Sequence, residues 1–244
     1  MSAIYDEIGV DYADLRKPDP RIAAAIEGAL GAAETVLNVG AGAGSYESAG
    51  RQVTAVEPSL EMIGQRPRDA APAIQGVAED LPFDDDSFDA SMAVLTIHHW
   101  TDQAKGLGEM RRVTRGPVVL LTFDPDYRDI WLLDYLPENA ELDARQMPKM
   151  ADYEKWLGPV EIATVPIPHD CTDGFLYAYW RRPSAYLDPQ IRKGSSTFWK
   201  IDNISEKLER LADDLQSGAW ERRYADLLDQ DAIDMGYRLV VARG

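Results

Sequence analysis

Short, unbroken apolar runs recur along the first half of the chain with helix-period stretches between them, and no other feature restricts the fold as strongly. Runs 35–39, 53–56, 88–95 and 118–123 are rich in Val, Leu and Ala, as strands buried on both faces should be. Stretch 59–65 after the second run reads as a helix, and so does 102–115 after the third, with Ala104, Leu107 and Met110 on one face and Asp102 as its cap. Ahead of the first run, Ile22, Ala23, Ile26 and Leu30 stand at helical spacing between Asp19-Pro20 and Gly31, so both ends of that helix are marked. A weaker strand is expected at 73–77. Alternation of this kind predicts an α/β fold with a parallel sheet and right-handed crossovers.

Beyond residue 123 the rhythm changes. Two further strand candidates remain, 160–167 and 237–242, and about seventy residues of mostly helical signal separate them. Ile204, Leu208, Leu211 and Leu215 form an apolar stripe closed by Gly218, and Trp220, Tyr224, Leu227 and Leu228 form another. In this half, four of the six tryptophans, Trp156, Trp180, Trp199 and Trp220, fall after residue 150. It reads as an aromatic-rich helical cap elaborated on the sheet, dependent on the sheet for its own folding.

Composition excludes several classes. The 244 residues carry 25 basic and 42 acidic side chains, a formal net charge of −17, which repels phosphate backbones. The one dense basic cluster, Arg111, Arg112 and Arg115, reads as a solvated helix face. No apolar run approaches the roughly 18 residues of a membrane span. The acidic first sixteen residues are unlike a secretory signal, so a cytoplasmic location is expected. The single cysteine, Cys171, makes no internal disulfide. Asp124, Asp126, Asp129 and Asp134 lack the spacing of a calcium loop, and no metal is expected.

The sharpest local signal is 36–44, a buried strand running into alternate glycines Gly40, Gly42 and Gly44. Glycine there permits positive φ and close approach of a ligand to the backbone. A nicotinamide dinucleotide fingerprint wants its third glycine at position 45, which is Ser45. Glu57 stands at the end of the second strand, where a carboxylate can accept from both ribose hydroxyls of a nucleoside ligand.

These residues, together with Val56-Glu57-Pro58-Ser59 and Met62, with 78–83 followed by 86–89, and with His98-His99-Trp100-Thr101-Asp102, resemble the class I S-adenosylmethionine-dependent methyltransferases. The likeness is to small-molecule enzymes similar to the ubiquinone and menaquinone biosynthesis methyltransferases, and it covers residues 1–123. The resemblance implies a doubly wound, seven-stranded, mostly parallel Rossmann-like sheet, with an antiparallel last strand and a helical cap inserted before it. It implies a cofactor core at 1–123 with an N-terminal lid. The rest of the sheet and a substrate cap (about 124–158 and 170–235) would complete one compact unit at 124–244.

The cofactor implied is S-adenosyl-L-methionine. Gly40, Ala41, Gly42 and Gly44 would hold its methionine part, Glu57 and Pro58 its ribose, and Met62, Ala78 and Glu79 its adenine. Val94 and His99 would complete the wall, and Tyr12 and Arg16 would close over it, Arg16 pairing with its carboxylate. Two departures from the family stand out: Asn38 replaces an aspartate, and Val77 an acidic residue.

His98 follows the fourth strand, where the transferable methyl should sit, and an ordinary histidine near pH 6.5 suits a general base; capping or packing is the alternative role. The partner expected is a flat or hydrophobic small molecule, because Trp and Tyr walls bury planar rings well. No nucleic acid is expected: the stretch Val94-Leu95-Thr96-Ile97 lacks the element that base-methylating relatives carry there. A nicotinamide-dependent oxidoreductase and a non-catalytic S-adenosylmethionine-binding protein are the rival readings.

Overall fold

In a computed structural model, which describes residues 15–244, Asp19 caps helix α1 (Pro20–Leu30) by accepting from the Arg21 N–H at 2.9 Å. Ile22, Ile26 and Leu30 of α1 face the sheet, as their spacing predicts. The sheet strands are β1 (Thr35–Val39), β2 (Gln52–Glu57), β3 (Ala73–Gln75), β4 (Ala90–Val94), β5 (Val118–Phe123), β6 (Val160–Thr164) and β9 (Tyr237–Ala242). Among the described residues they form one seven-stranded sheet in the order β3-β2-β1-β4-β5-β9-β6. All pairings from β3 to β5 are parallel, while β9 runs antiparallel to both neighbours. The order reverses between β1 and β4, which opens a crevice at the strands' carboxyl ends.

Period-two alternation splits the core. Val36, Met92, Val119, Leu121 and Phe123 pack on the α1 side. Leu37, Val39, Ala93, Val118 and Leu120 pack on the other, against Leu107, Met110 and Val113 of α3 (Gln103–Val113). Helix α2 (Leu60–Gly64) is capped by Ser59, which accepts from the Met62 N–H at 3.1 Å, and α3 is capped by Asp102, which accepts from the Lys105 N–H at 2.9 Å.

Most of the cap packs on the α1 side and shares its core with the sheet, Trp180 and Trp220 lying in the same cluster as Ile22 and Val119, whereas Tyr153 and Leu157 pack on the other face beside Met110. Trp180 donates to the Ile167 carbonyl at 2.9 Å, and Trp131 to the Trp180 carbonyl at 2.8 Å. Apolar cover comes from α7 (Ile204–Gln216), which buries Leu208 and Leu211. Before β6 lie α4 (Glu138–Gln146) and α5 (Met150–Leu157); between β6 and α7 lies the short α6 (Pro189–Arg192).

Three sequence readings need correction. Run 160–167 is not one strand: Pro166 offers no N–H, and the chain leaves the sheet after Thr164 to pair β7 (Ile167–Pro168) with β8 (Ala232–Ile233). The Trp220 stripe is two short helices, α8 (Ala219–Arg223) and α9 (Ala225–Leu228), broken at Tyr224, whose ring packs on Trp131 and whose hydroxyl donates to Asp134 at 2.6 Å. The arginine cluster is not merely solvated, since Arg112 binds Glu109 and Asp85 and Arg115 binds Asp89. Among the described residues no helix is long and apolar enough to cross a membrane.

Candidate functional site

The crevice at the β1/β4 reversal is a cavity of about 650 Å³. Its floor is the loop after β1. The Gly40 and Ala41 N–H groups both donate to the Val56 carbonyl, at 2.8 and 3.1 Å, which ties the loop to β2. Gly40 has φ +68°, and a Cβ there would stand 2.2 Å from Thr96 Oγ1, so no side chain fits. Gly42 has φ +53° and faces the Met62 side chain. Gly40, Ala41, Gly42, Glu57, Pro58 and Met62 line the cavity together, and so do Ala78, Glu79, Val94, His98, His99 and Arg16. Gly44 does not reach it; it packs on Arg66 and Glu47 instead. Tyr12 lies outside the described residues.

Several polar residues have partners that sequence alone did not show. The buried Glu57 carboxylate accepts from the Gly42 N–H at 2.8 Å and the Ser59 N–H at 2.9 Å, so it braces the glycine loop against the start of α2. Each oxygen of an ionised carboxylate accepts more than one bond, so ribose hydroxyls can still be taken. Glu79 Oε1 accepts from the Thr101 N–H and hydroxyl and the Asp102 N–H. Burial opposes ionisation of Glu79, but these donors outweigh it and lower its pKa. Arg16 does not stand open for a carboxylate: it makes a two-point ion pair with the fully buried Asp173 of the cap, which also accepts from Tyr46 at 2.9 Å.

Asn38 has a physical reason. Its amide donates to Glu47 Oε1 at 3.0 Å, and Glu47 is itself paired with Arg66 in a buried ion pair at 2.7 Å. An aspartate at 38 would oppose the Glu47 carboxylate. The negative charge is thus displaced to Glu47 rather than lost. Arg66 also donates to the carbonyls of Gly42 and Ala71, fixing the loop from below.

Leu95 ends β4 with φ +50°, a strained conformation for leucine, and directs Thr96 onto Gly40 and residues Ile97–His99 into a 3₁₀ turn. The two histidine rings lie 3.9 Å apart. His98 is not an ordinary histidine: burial, then the charges of Lys200 and Arg16, hold its pKa down to about 3. His99 is lowered by burial, then by the charges of His98, Lys200 and Arg16. Nδ1 of His98 is buried with no partner among the described residues.

A second, smaller cavity of about 80 Å³ opens beneath the cap. Phe123, Phe175, Tyr177 and Tyr237 form an aromatic box around it, with ring centroids 4.6–6.4 Å apart. Arg16, Leu95 and His98 belong to the walls of both cavities. Sequence reading missed Lys200, a cap residue that reaches the large cavity, and Asp143 of α4 in the small one. Neither carried a local motif.

Comparison with known proteins agrees with this geometry. Residues 37–121 match a family described as a methyltransferase domain. A crystal structure from Anabaena variabilis, described as a methyltransferase of an antibiotic biosynthesis pathway, is similar at 36% identity and TM-score 0.87, over 94% of this chain and 99% of that one. Demethylmenaquinone methyltransferase of Paenarthrobacter aurescens is 37% identical over 106 residues, which are 40% of this chain and 42% of that protein. The 2-methyl-6-phytyl-1,4-hydroquinone methyltransferase of Arabidopsis thaliana is 27% identical over 180 residues, 64% of this chain and 48% of that protein. The chain thus spans less than half the length of these two relatives. With a full-length structural match, a glycine loop under positive φ and a carboxylate at the end of β2, the chain belongs to the class I S-adenosylmethionine-dependent methyltransferases.

Proposed function

We propose that the protein transfers a methyl group from S-adenosyl-L-methionine to a small organic acceptor, in the cytoplasm, where the free Cys171 thiol stays reduced. The observation that carries this reading is the wall of Leu95 and His98 shared by a large polar-floored cavity and a small aromatic one. Bound S-adenosylmethionine supplies a methyl group on a cationic sulfur, open to in-line displacement.

The chain's own residues do the rest. Backbone of the loop Gly40 to Ala43 receives the amino-acid end, and the cation Lys200 complements its carboxylate, while Arg16, paired with Asp173, closes the wall beside it. Glu57 takes the ribose hydroxyls, while Met62, Ala78 and Glu79 enclose the adenine. His98 stays neutral at physiological pH and offers a hydrogen-bond acceptor at the shared wall, where it orients the attacking atom. Such a step depends mainly on positioning and exclusion of water.

The aromatic box suits a flat or hydrophobic acceptor. A nucleic acid fits neither that small cavity nor a net charge of −17. The test is transfer of a labelled methyl group to a panel of small phenols, quinols and amines. Label in a small acceptor supports the reading. Cofactor binding with no transfer to any acceptor, or label only in nucleic acid, contradicts it.

A further inference from the structure

The small cavity contains a carboxylate that no cation among the described residues pairs with directly, the exposed Arg128 acting on it only from farther off. Asp143 of α4 lines it, and among the described residues one side chain donates to that carboxylate: the Tyr177 hydroxyl, on Oδ2 at 2.9 Å. Asp143 has no ion pair among the described residues. The nearby cation Arg16 is committed to Asp173. An ionised carboxylate accepts at about four sites, so Oδ1 and the remaining lone pair of Oδ2 are available to whatever enters. Around it stand the rings of Phe123, Phe175 and Tyr237, which give an entering molecule an apolar, planar fit, while the neutral polar residues Gln146, Ser195, Ser196 and Thr197 line the rest of the wall and leave Asp143 its one carboxylate. Keeping a charge in such a place costs stability, and nothing in the packing of α4 requires it, because Leu142 and Asn139 supply that helix's buried contacts.

We infer that Asp143 is the acceptor-recognition residue: the acceptor is a compact ring compound whose hydroxyl or amino group donates a hydrogen bond to the Asp143 carboxylate while its ring lies in the aromatic box. This rests on the reading of the small cavity as the acceptor site. Tyr177 fixes the carboxylate's rotamer from one side, and His98 faces the same cavity from the shared wall, so a molecule held at Asp143 is presented toward the cofactor cavity. The recognised group and the methylated group need not be the same atom.

The test uses the full chain saturated with S-adenosylhomocysteine and three probes of similar shape: phenol, benzylamine and toluene. Ligand-observed NMR titration reads their affinities. Phenol or benzylamine should bind about tenfold more tightly than toluene, as a hydrogen bond to a charged group allows, and comparison of the two separates a hydroxyl from an ammonium preference. Asp143→Asn should abolish the preference for benzylamine and shrink that for phenol severalfold, with S-adenosylhomocysteine affinity within about twofold of wild type. Tyr177→Phe, which leaves the carboxylate in place, should keep the preference. Equal affinity for all three probes, no binding of either donor probe, or an unchanged preference in Asp143→Asn would overturn the inference. Failure of S-adenosylhomocysteine itself to bind would instead defeat the functional reading beneath it.

Discussion

Replacing Glu57 tests two roles at once, because its carboxylate braces the glycine loop as well as facing the cavity. In Glu57→Ala the Gly42 and Ser59 N–H groups lose an acceptor held at 2.8 and 2.9 Å. Gly42 lines the cavity, and water entering the space that the side chain vacates can also reach the buried Ser59 N–H, so the stability cost should be about 1–2 kcal/mol rather than the full charge-assisted value. That is a fall in Tm of about 2–8 °C for a chain of this size. Loss of the ribose contact should weaken S-adenosylhomocysteine binding by about 1.5–3 kcal/mol, roughly ten- to a hundredfold in Kd. Glu57→Gln keeps the shape and one acceptor but turns an amide N–H toward a backbone donor, so it should fall between wild type and Ala. Scanning calorimetry and isothermal titration on the same preparations separate the two roles. A lower Tm with unchanged affinity would show that Glu57 only braces the loop, and the ribose assignment would be wrong.

Gly40→Ala combines a left-handed backbone with a Cβ 2.2 Å from Thr96 Oγ1, so it should destabilise by at least about 2 kcal/mol, and Thr96→Ala in the same chain should recover part of that in a denaturation double-mutant cycle. His98→Ala should lower kcat at least tenfold with S-adenosylhomocysteine affinity nearly unchanged, and the wild-type rate should show no inflection near pH 6.5 from this residue, since its pKa lies at about 3. The same depressed pKa makes the unfolded state bind more protons below pH 6.5, so His98 should contribute to a loss of stability as pH falls from about 6.5 toward 3, and His98→Ala should show a shallower acid limb in urea titrations. Asp143 has the opposite sign: burial raises its pKa to about 6, so wild-type stability declines as pH rises between about 4 and 6, and Asp143→Asn should be more stable above pH 6 by up to about 3 kcal/mol, with the difference gone near pH 4.

The parallel half of the sheet was legible because strands buried on both faces leave unbroken apolar runs, and because Asp19, Ser59 and Asp102 mark helix starts chemically. The glycine loop and Glu57 were legible for a related reason: one short segment carries both the backbone constraint and the binding group. The rest of the site had no such local signature. Glu47 and Arg66, nineteen positions apart, look like surface charges until the fold buries them as a pair beneath Asn38. Asp143, Tyr177 and Lys200 come from cap elements that only tertiary packing brings to the cleft. The pKa of His98 likewise depends on burial and on cations from distant segments, so its position could be read but its basicity could not. Run 160–167 misled because the composition favours a strand, whereas Pro166 and the pairing of Ile167 with Ile233 carry the chain into a different sheet.

Calorimetric titration of the purified chain with S-adenosylhomocysteine, repeated with NADH, tests the central claim most directly. The geometry of the glycine loop, Glu57 and the Met62 wall predicts one S-adenosylhomocysteine bound per chain, displaceable by S-adenosylmethionine, and no saturable binding of NADH, whose fingerprint this loop breaks at Ser45. Saturable NADH binding with no heat from S-adenosylhomocysteine would contradict the account.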